Sequence, residues 1–308
     1  MREDSPTQLP SRLGLVGLGE VGLVLAAELL RAGRSVRCLE TRPERSAILR
    51  SAATLGIEVD ISVEAFAAQV DGVLVAVQGR AALGVAAEVV PCLRSGVFYA
   101  DLTAKGIAAR DEIGRLCSAG SVIFADVAIV DTVMWPDRTI DLIVSGPGAV
   151  GVVSALEGTR FSCLVADPAR PISTEIKLCR SVFTKGLMAL LLETLAAAGR
   201  SGIEAYVRQT LINFMSEDPD RIVSLLIGTS MKHARRRAEE MAEAMDFVTD
   251  RLGAAPMAAA SRVVLEAVAQ EADHSVPDGW QAVIEYLIDR KVFDRIPLMV
   301  NPRTVEHA

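Results

Sequence analysis

RLGLVGLGEVGLVLAAELLRAG, residues 12–33, is the stretch whose reading decides the fold. It opens as a short apolar run, and from Glu20 onward its apolar residues follow helical spacing. Between the two, Gly17, Gly19 and Gly22 form GxGxxG, a motif that becomes informative in a strand–loop–helix setting such as this one. Gly17 permits a tight turn, Gly19 lets the backbone approach a pyrophosphate, and Gly22 lets the helix pack closely on its strand. The helix N-terminus then offers unpaired N–H groups and a positive dipole end to the phosphates. Gly17, Leu18, Gly19, Glu20, Val21 and Gly22 are therefore the expected contacts of a dinucleotide. Glu40 closes the next apolar run, SVRCLE at 35–40, where a carboxylate would bond the adenosine ribose hydroxyls. That favours NAD. Thr41, Arg42 and Arg45 follow, and the arginines could instead hold the 2′-phosphate of NADP. Val77, ending a later run, completes the expected cofactor contacts.

Outward from the loop, apolar runs alternate with Ala-rich helical segments as far as about residue 165. The runs are 13–17, 35–40, 72–77, 96–101, 121–129, 139–146 and 161–166. Near-continuous apolar strands of this kind are buried on both faces, which predicts a parallel sheet sandwiched by helices. Beyond Pro168 and Pro171 only helical patterns follow, at 172–199, 203–215, 218–226, 229–252, 256–272 and 279–291. The fold class is thus α/β: an N-terminal Rossmann-type doubly wound parallel sheet, then an all-helical C-terminal domain. We expect a disordered arm over 1–11, a dinucleotide-binding domain over 12–170, a helical substrate and dimerisation domain over 171–308, and frayed residues from about 300.

The helix expected at 172–199 presents Ile176, Cys179, Val182, Phe183, Gly186, Leu187, Leu190 and Leu191 as a core-facing stripe. Lys177, Ser181 and Lys185 recur at four-residue steps and so stack along one edge of it. A lysine there, beside a nicotinamide, is suited to acid/base work. The net charge of −7 argues against non-specific nucleic-acid binding. The five cysteines show no CxxC pair and read as free thiols of a reducing compartment. With three scattered histidines no metal site is expected. The polar start, MREDSPTQLP, does not read as a signal peptide, and no apolar run reaches membrane-spanning length. The expected location is the cytoplasm.

With the loop, the boundary and Lys177 placed, the chain resembles the β-hydroxyacid dehydrogenase superfamily. Its members include 3-hydroxyisobutyrate and 6-phosphogluconate dehydrogenases. The phrases IKLCRSVFTKGLMALLLETL at 176–195 and KHARRRAEEMAEAM at 232–245 are most similar to a branch of 6-phosphogluconate-dehydrogenase-like oxidoreductases. The resemblance implies that Lys177 is the general acid/base and that Ser181 stands where the family usually has a substrate-orienting asparagine. The 6-phosphogluconate enzymes carry a histidine and a glutamate where this chain has Arg180 and Thr184, so that substrate is rejected. The family's Asp-Ala-Pro-Val-Ser-Gly-Gly loop falls on residues 126–132, where the Ser-Gly-Gly is lost and Asp131 and Thr132 stand. Asp131 either contacts a hydroxyl or amino group of a different substrate or caps the next segment. In Asp101-Leu102-Thr103-Ala104-Lys105-Gly106, Thr103 and Lys105 are substrate candidates, Lys105 as the cation the altered loop no longer supplies. Lys185, Lys232, His233 and Arg236 are further candidates, although Arg235–Glu239 and Arg236–Glu240 also read as exposed i,i+4 pairs. Backbone donors around Ser145-Gly146 could help place the substrate.

The expected protein is an NAD(P)-dependent oxidoreductase interconverting a small hydroxy acid and its oxo acid, acting as a homodimer on a carboxylate. Two other classes remain open: an imine reductase-like enzyme and a non-catalytic redox sensor.

Overall fold

The computed structural model describes residues 12–41, 46–130, 133, 138–271 and 277–296. The expected arm over 1–11, the frayed end from 300, Arg42, Arg45, Asp131 and Thr132 lie outside the described residues. Two compact units divide at Val182 and Phe183, inside one long helix and past the prolines expected to mark the boundary.

The first unit begins with β1 (Arg12–Val16), α1 (Glu20–Arg31), β2 (Ser35–Leu39), α2 (Ser46–Leu55) and β3 (Glu58–Asp60). It continues with α3 (Val63–Ala67), β4 (Gly72–Val75), α4 (Ala82–Val89), β5 (Phe98–Asp101) and α5 (Ile107–Ala119). It closes with β6 (Ile123–Ile129), β7 (Ile140–Ser145), α6 (Ala149–Leu156), β8 (Phe161–Asp167) and the start of α7 (Ser173–Arg200). Among the described residues these strands form one eight-stranded sheet, in the order β3-β2-β1-β4-β5-β6-β7-β8. β3 has only three residues, too few for a hydrophobic pattern to reveal it in the sequence.

The sheet is parallel as expected, apart from the one antiparallel pairing of β6 with β7. The reason is chain length: residues 130–139 are too few for the crossover that parallel neighbours require. Successive residues feed opposite faces, as strand geometry demands. Leu13, Leu15, Leu74, Phe98 and Ala100 enter one core with Leu25 and Leu29 of α1. Val16, Val73, Val75 and Tyr99 enter the other with Phe66 of α3 and Ile113 of α5. Gly14 belongs to that second face, where an added Cβ would lie 2.4 Å from the Phe66 ring.

The second unit holds the remainder of α7, then α8 (Glu204–Met215), α9 (Pro219–Gly228), α10 (Ser230–Leu252), α11 (Pro256–Ala269) and α12 (Trp280–Asp289). Its cores are small: Met231, Ala234, Val268, Val283, Leu287 and Val292 in one, Ala197, Val248, Ala255 and Ala258 in another. The Glu193 carboxylate accepts from the N–H groups of Met257 and Ala258, both at 2.9 Å, and so caps α11.

The α7 stripe is not the core face that its spacing suggested. Val182 is 77% and Phe183 69% exposed, Cys179 and Leu190 are exposed as well, and Ile176, Gly186, Leu187 and Leu191 are only half-buried. By length and composition α7 is also apolar enough to cross a membrane, with a mean hydropathy of 1.4 over its best window, contrary to the expectation that no such segment exists.

Candidate active site and dinucleotide cradle

The loop that opens the sequence reading sits at the C-terminal end of β1. β1 and β4 are neighbours in the sheet, and the order reverses between them, so a crevice opens at their C-terminal ends. Gly17 has φ +97°, a conformation that side chains oppose, and an added Cβ would lie 2.6 Å from the Ala76 carbonyl oxygen. A Cβ on Gly22 would lie 1.9 Å from the Gly17 carbonyl oxygen, so α1 can approach the turn only with glycine there. Around Gly19 the space is open, with nothing within 4 Å of where a Cβ would stand. An anion can therefore reach the backbone at the start of α1.

A cavity of about 1080 Å³ spreads from this loop across the ends of β2 and β4 to α4. Gly17, Leu18, Gly19, Glu20, Val21, Glu40, Thr41 and Val77 all line it. Gln78, Arg80 and Glu88 also line it, and sequence reasoning missed them. The signal available was position: Gln78 and Arg80 directly follow the apolar run 72–77, where loops at strand ends gather around a ligand. Glu40 is 6% exposed, with its backbone N–H donating to the Asp60 carbonyl. Next to it the Cys38 thiol is pushed up to about 12 by burial and by the Glu40 and Asp60 charges.

A second cavity of about 410 Å³ shares Glu20, Val21, Ala76, Val77 and Gln78 with the first. Its remaining walls include Leu102, Thr103, Ile129, Val133 and Lys177. Lys177 thus comes within the same pocket as the Gly-rich loop, from 160 residues away in the chain. Thr103 is 4% exposed, and its hydroxyl finds no hydrogen-bond partner among the described residues. Its N–H donates to the Asp101 carboxylate at 2.9 Å. Asp131 and Thr132 fall between the cavity residues Ile129 and Val133 but lie outside the described residues. Ser181, one turn beyond Lys177, is half-buried and does not line the cavity.

Lys105 is not the substrate cation expected. Its side chain is fully buried, with Nζ 3.1 Å from Asp126 Oδ1 and 3.4 Å from Asp101 Oδ2. Two buried carboxylates demand such a partner, because an uncompensated charge in the interior is costly. Of the backbone donors expected around Ser145-Gly146, the Gly146 N–H is taken by the Asp167 carbonyl at 2.7 Å, and Ser145 itself is fully buried with its hydroxyl engaged at the start of α7. In the second unit, Lys185 is exposed on α7, Lys232 and Arg236 are exposed on α10, and His233 is half-buried there. Arg236 pairs with Glu240, one turn away.

Residues 12–146 match the model of the NAD-binding domain of 6-phosphogluconate dehydrogenase, and residues 198–268 match a domain family of unknown function. Residues 12–146 are thus an NAD-binding domain of the 6-phosphogluconate dehydrogenase type, and the chain as a whole is similar to proteins of the 3-hydroxyacid dehydrogenase kind. It is 28% identical to a conserved protein of unknown function that is itself structurally similar to 3-hydroxyacid dehydrogenases; the match covers 85% of this chain and 98% of that one, with a TM-score of 0.59. It is 26% identical over 242 residues to an uncharacterized 28.5 kDa protein of Methanothermus fervidus, covering 77% of this chain and 90% of the relative. An imine reductase from Aspergillus terreus, solved with NADPH4 and a dibenzazepine, shares the fold at a TM-score of 0.71 and 14% identity, over 90% of this chain and 99% of that one. The first unit is thus an NAD(P)-binding domain of oxidoreductase type, and its open Gly19 cradle and Glu40-lined cavity fit that cofactor.

Proposed function

We propose that the protein is an NAD(P)-dependent dehydrogenase interconverting a small hydroxy acid and its oxo acid, with Lys177 as general acid/base. The observation that carries this reading is that Lys177 lines a pocket whose other wall is the Gly-rich loop. A nicotinamide cofactor held by Gly17, Gly19, Glu40 and Val77 would supply the hydride chemistry. In the reducing direction the Lys177 ammonium donates a hydrogen bond to the substrate carbonyl oxygen and yields its proton as that oxygen becomes a hydroxyl. In the oxidising direction the neutral amine takes the hydroxyl proton back. Val21, Val77, Leu102, Ile129 and Val133 give the pocket an apolar side, while Glu20, Gln78, Thr103 and Lys177 supply its polar groups. The unpartnered Thr103 hydroxyl is suited to orient the substrate oxygen.

Glu40 at the cavity favours NAD over NADP, because a carboxylate there accepts from ribose hydroxyls and repels a 2′-phosphate. Ser181, Lys185, Lys232, His233 and Arg236, together with Asp131 and Thr132, are carried as substrate contacts by the superfamily resemblance alone. The exposed apolar face of α7 supports a homodimer, and free thiols on every cysteine support a reducing, cytoplasmic location. Imine reduction is the second reading: Glu20, exposed and lining the pocket, would pair with an iminium.

Absorbance at 340 nm, followed across hydroxy acids, their oxo partners and imines, tests the proposal. Turnover on a hydroxy acid, with NAD preferred, is the expected result. Lys177→Ala should lower kcat by roughly a hundredfold to ten-thousandfold, the usual contribution of a general acid/base, while leaving NADH affinity unchanged. Undiminished turnover in that variant would remove Lys177 from the chemistry. Tight NADH binding without turnover on any compound would favour the redox sensor.

A further inference from the structure

Ile172 precedes α7 and has no side-chain oxygen with which to cap it, so the first N–H groups of this helix need acceptors from elsewhere. They come from the sheet. Ser145 Oγ accepts from the N–H groups of Ile172 and Ser173 at 2.9 and 2.8 Å, and lies 2.7 Å from the Ser173 hydroxyl. Asp126 Oδ2 accepts from the Thr174 N–H at 2.7 Å, while Oδ1 accepts from the Thr174 hydroxyl at 2.7 Å. Asp126 on β6 and Ser145 on β7 are register partners across the single antiparallel pairing, so two neighbouring strand residues grip three consecutive residues of one helix. Arg110 adds a clamp, donating to the Pro171 carbonyl at 2.6 Å and to Glu175 Oε1 at 3.0 Å.

We infer that Asp126 and Ser145, with Lys105 as buried counter-ion to Asp126, are positioning residues that aim Lys177 into the pocket beside the Gly-rich loop. This rests on the reading of Lys177 as acid/base only for its catalytic consequence. A helix turns about 100° and advances 1.5 Å per residue, so a slip of one residue at the start of α7 swings Lys177 a quarter-turn off the cavity. Holding Ser173 and Thr174, three and four residues earlier, fixes the face on which Lys177 stands. The carboxylate at the helix N-terminus is also favoured by the helix dipole. The loss of the family's Ser-Gly-Gly from the substrate loop leaves this pair untouched, because Asp126 and Ser145 act on the helix and not on the substrate.

The test uses the full-length protein, wild type and the variants Asp126→Asn and Ser145→Ala, and needs no substrate. Amide hydrogen exchange is measured over residues 172–175, alongside NADH affinity and the acetylation rate of Lys177 by acetic anhydride relative to the exposed Lys291. The wild-type amides of Ile172, Ser173 and Thr174 should be protected. Each variant should lose about tenfold of that protection, as the loss of a cap implies, and the relative labelling of Lys177 should change while NADH affinity holds. Thr174→Val, which removes only the hydroxyl bond to Asp126, is the milder variant should either of the others fail to fold. It should shift Lys177 labelling in the same sense. Free exchange of the three wild-type amides overturns the inference, and so does unchanged Lys177 labelling in variants whose caps are lost. If the wild type shows both signatures yet turns over no hydroxy acid, the positioning stands and the dehydrogenase reading fails alone.

Discussion

At the scale of single residues, the glycines and the lysines behave differently. Gly17, Gly19 and Gly22 need no partner to be recognised, because what distinguishes them is the absence of a side chain, and their spacing carries that information. Gly22→Ala places a Cβ 1.9 Å from a backbone oxygen that cannot swing away, so it should shift α1 and lower NADH affinity by tenfold or more, read by fluorescence titration. Gly19→Ala, with open space around it, should leave the melting temperature within a degree or two and weaken NADH by occupying room meant for phosphate. Equal melting losses in the two variants would contradict this division. Lys105 and Lys177 look alike in the sequence, each a lone cation near apolar residues. Asp126, 21 residues along the chain, draws Lys105 into the interior, whereas Lys177 stays at a cavity wall.

At the scale of elements, α1 is tied to the far edge of the first unit by Glu28. Its carboxylate accepts from Arg160 Nε at 3.2 Å and from the Arg160 N–H at 3.3 Å, and it pairs with Arg31 one turn on. Burial works to raise the Glu28 carboxyl, but the bonds from Arg31 and Arg160 outweigh it and hold the group below the ordinary glutamate range. The unfolded chain therefore binds this proton first on acidification. The stabilisation is complete above roughly pH 5 and is lost as pH falls through the folded value. Glu28→Gln should cost about 1–3 kcal/mol at pH 7 by urea denaturation. It should also flatten the acid limb of the stability curve; a limb as steep as that of the wild type would show that other carboxylates control it. β3 and the β6–β7 pairing belong to this scale too. A three-residue strand has no period to read, and strand direction follows from the length of the connection.

At the scale of the whole molecule, α7 decides what the chain associates with. Several of its apolar side chains are exposed, Val182 at 77%, Phe183 at 69% and Leu192 at 66%, and Tyr206 on α8 is exposed as well. This many exposed apolar side chains on one helix call for a partner, and we expect a second copy. Sedimentation at micromolar concentration should give twice the chain mass of 32.8 kDa, and Phe183→Asp should return the protein to a single chain. A wild type that sediments as a monomer would sink the dimer and leave the face for another occupant. The same helix meets the length and hydropathy of a membrane span, yet it carries Lys177, Arg180, Lys185 and Glu193, residues costly to place in lipid.

The sequence by itself determined the longer elements and the cradle. Strand and helix periods and the phosphate-binding glycines are local patterns, each encoded within about twenty consecutive residues. The meeting of Lys177 with the Gly-rich loop was suggested by its place on the helix edge and made specific by the superfamily resemblance. The tertiary structure alone decided where the charges lie. Lys105 is an internal counter-ion and not a substrate cation, and Ser145 caps a helix instead of meeting the substrate. The apolar stripe of α7 is part exposed and part half-buried rather than core. Periodicity states which side of an element is apolar or charged; what lies against that side is set by long-range packing, which no local pattern contains.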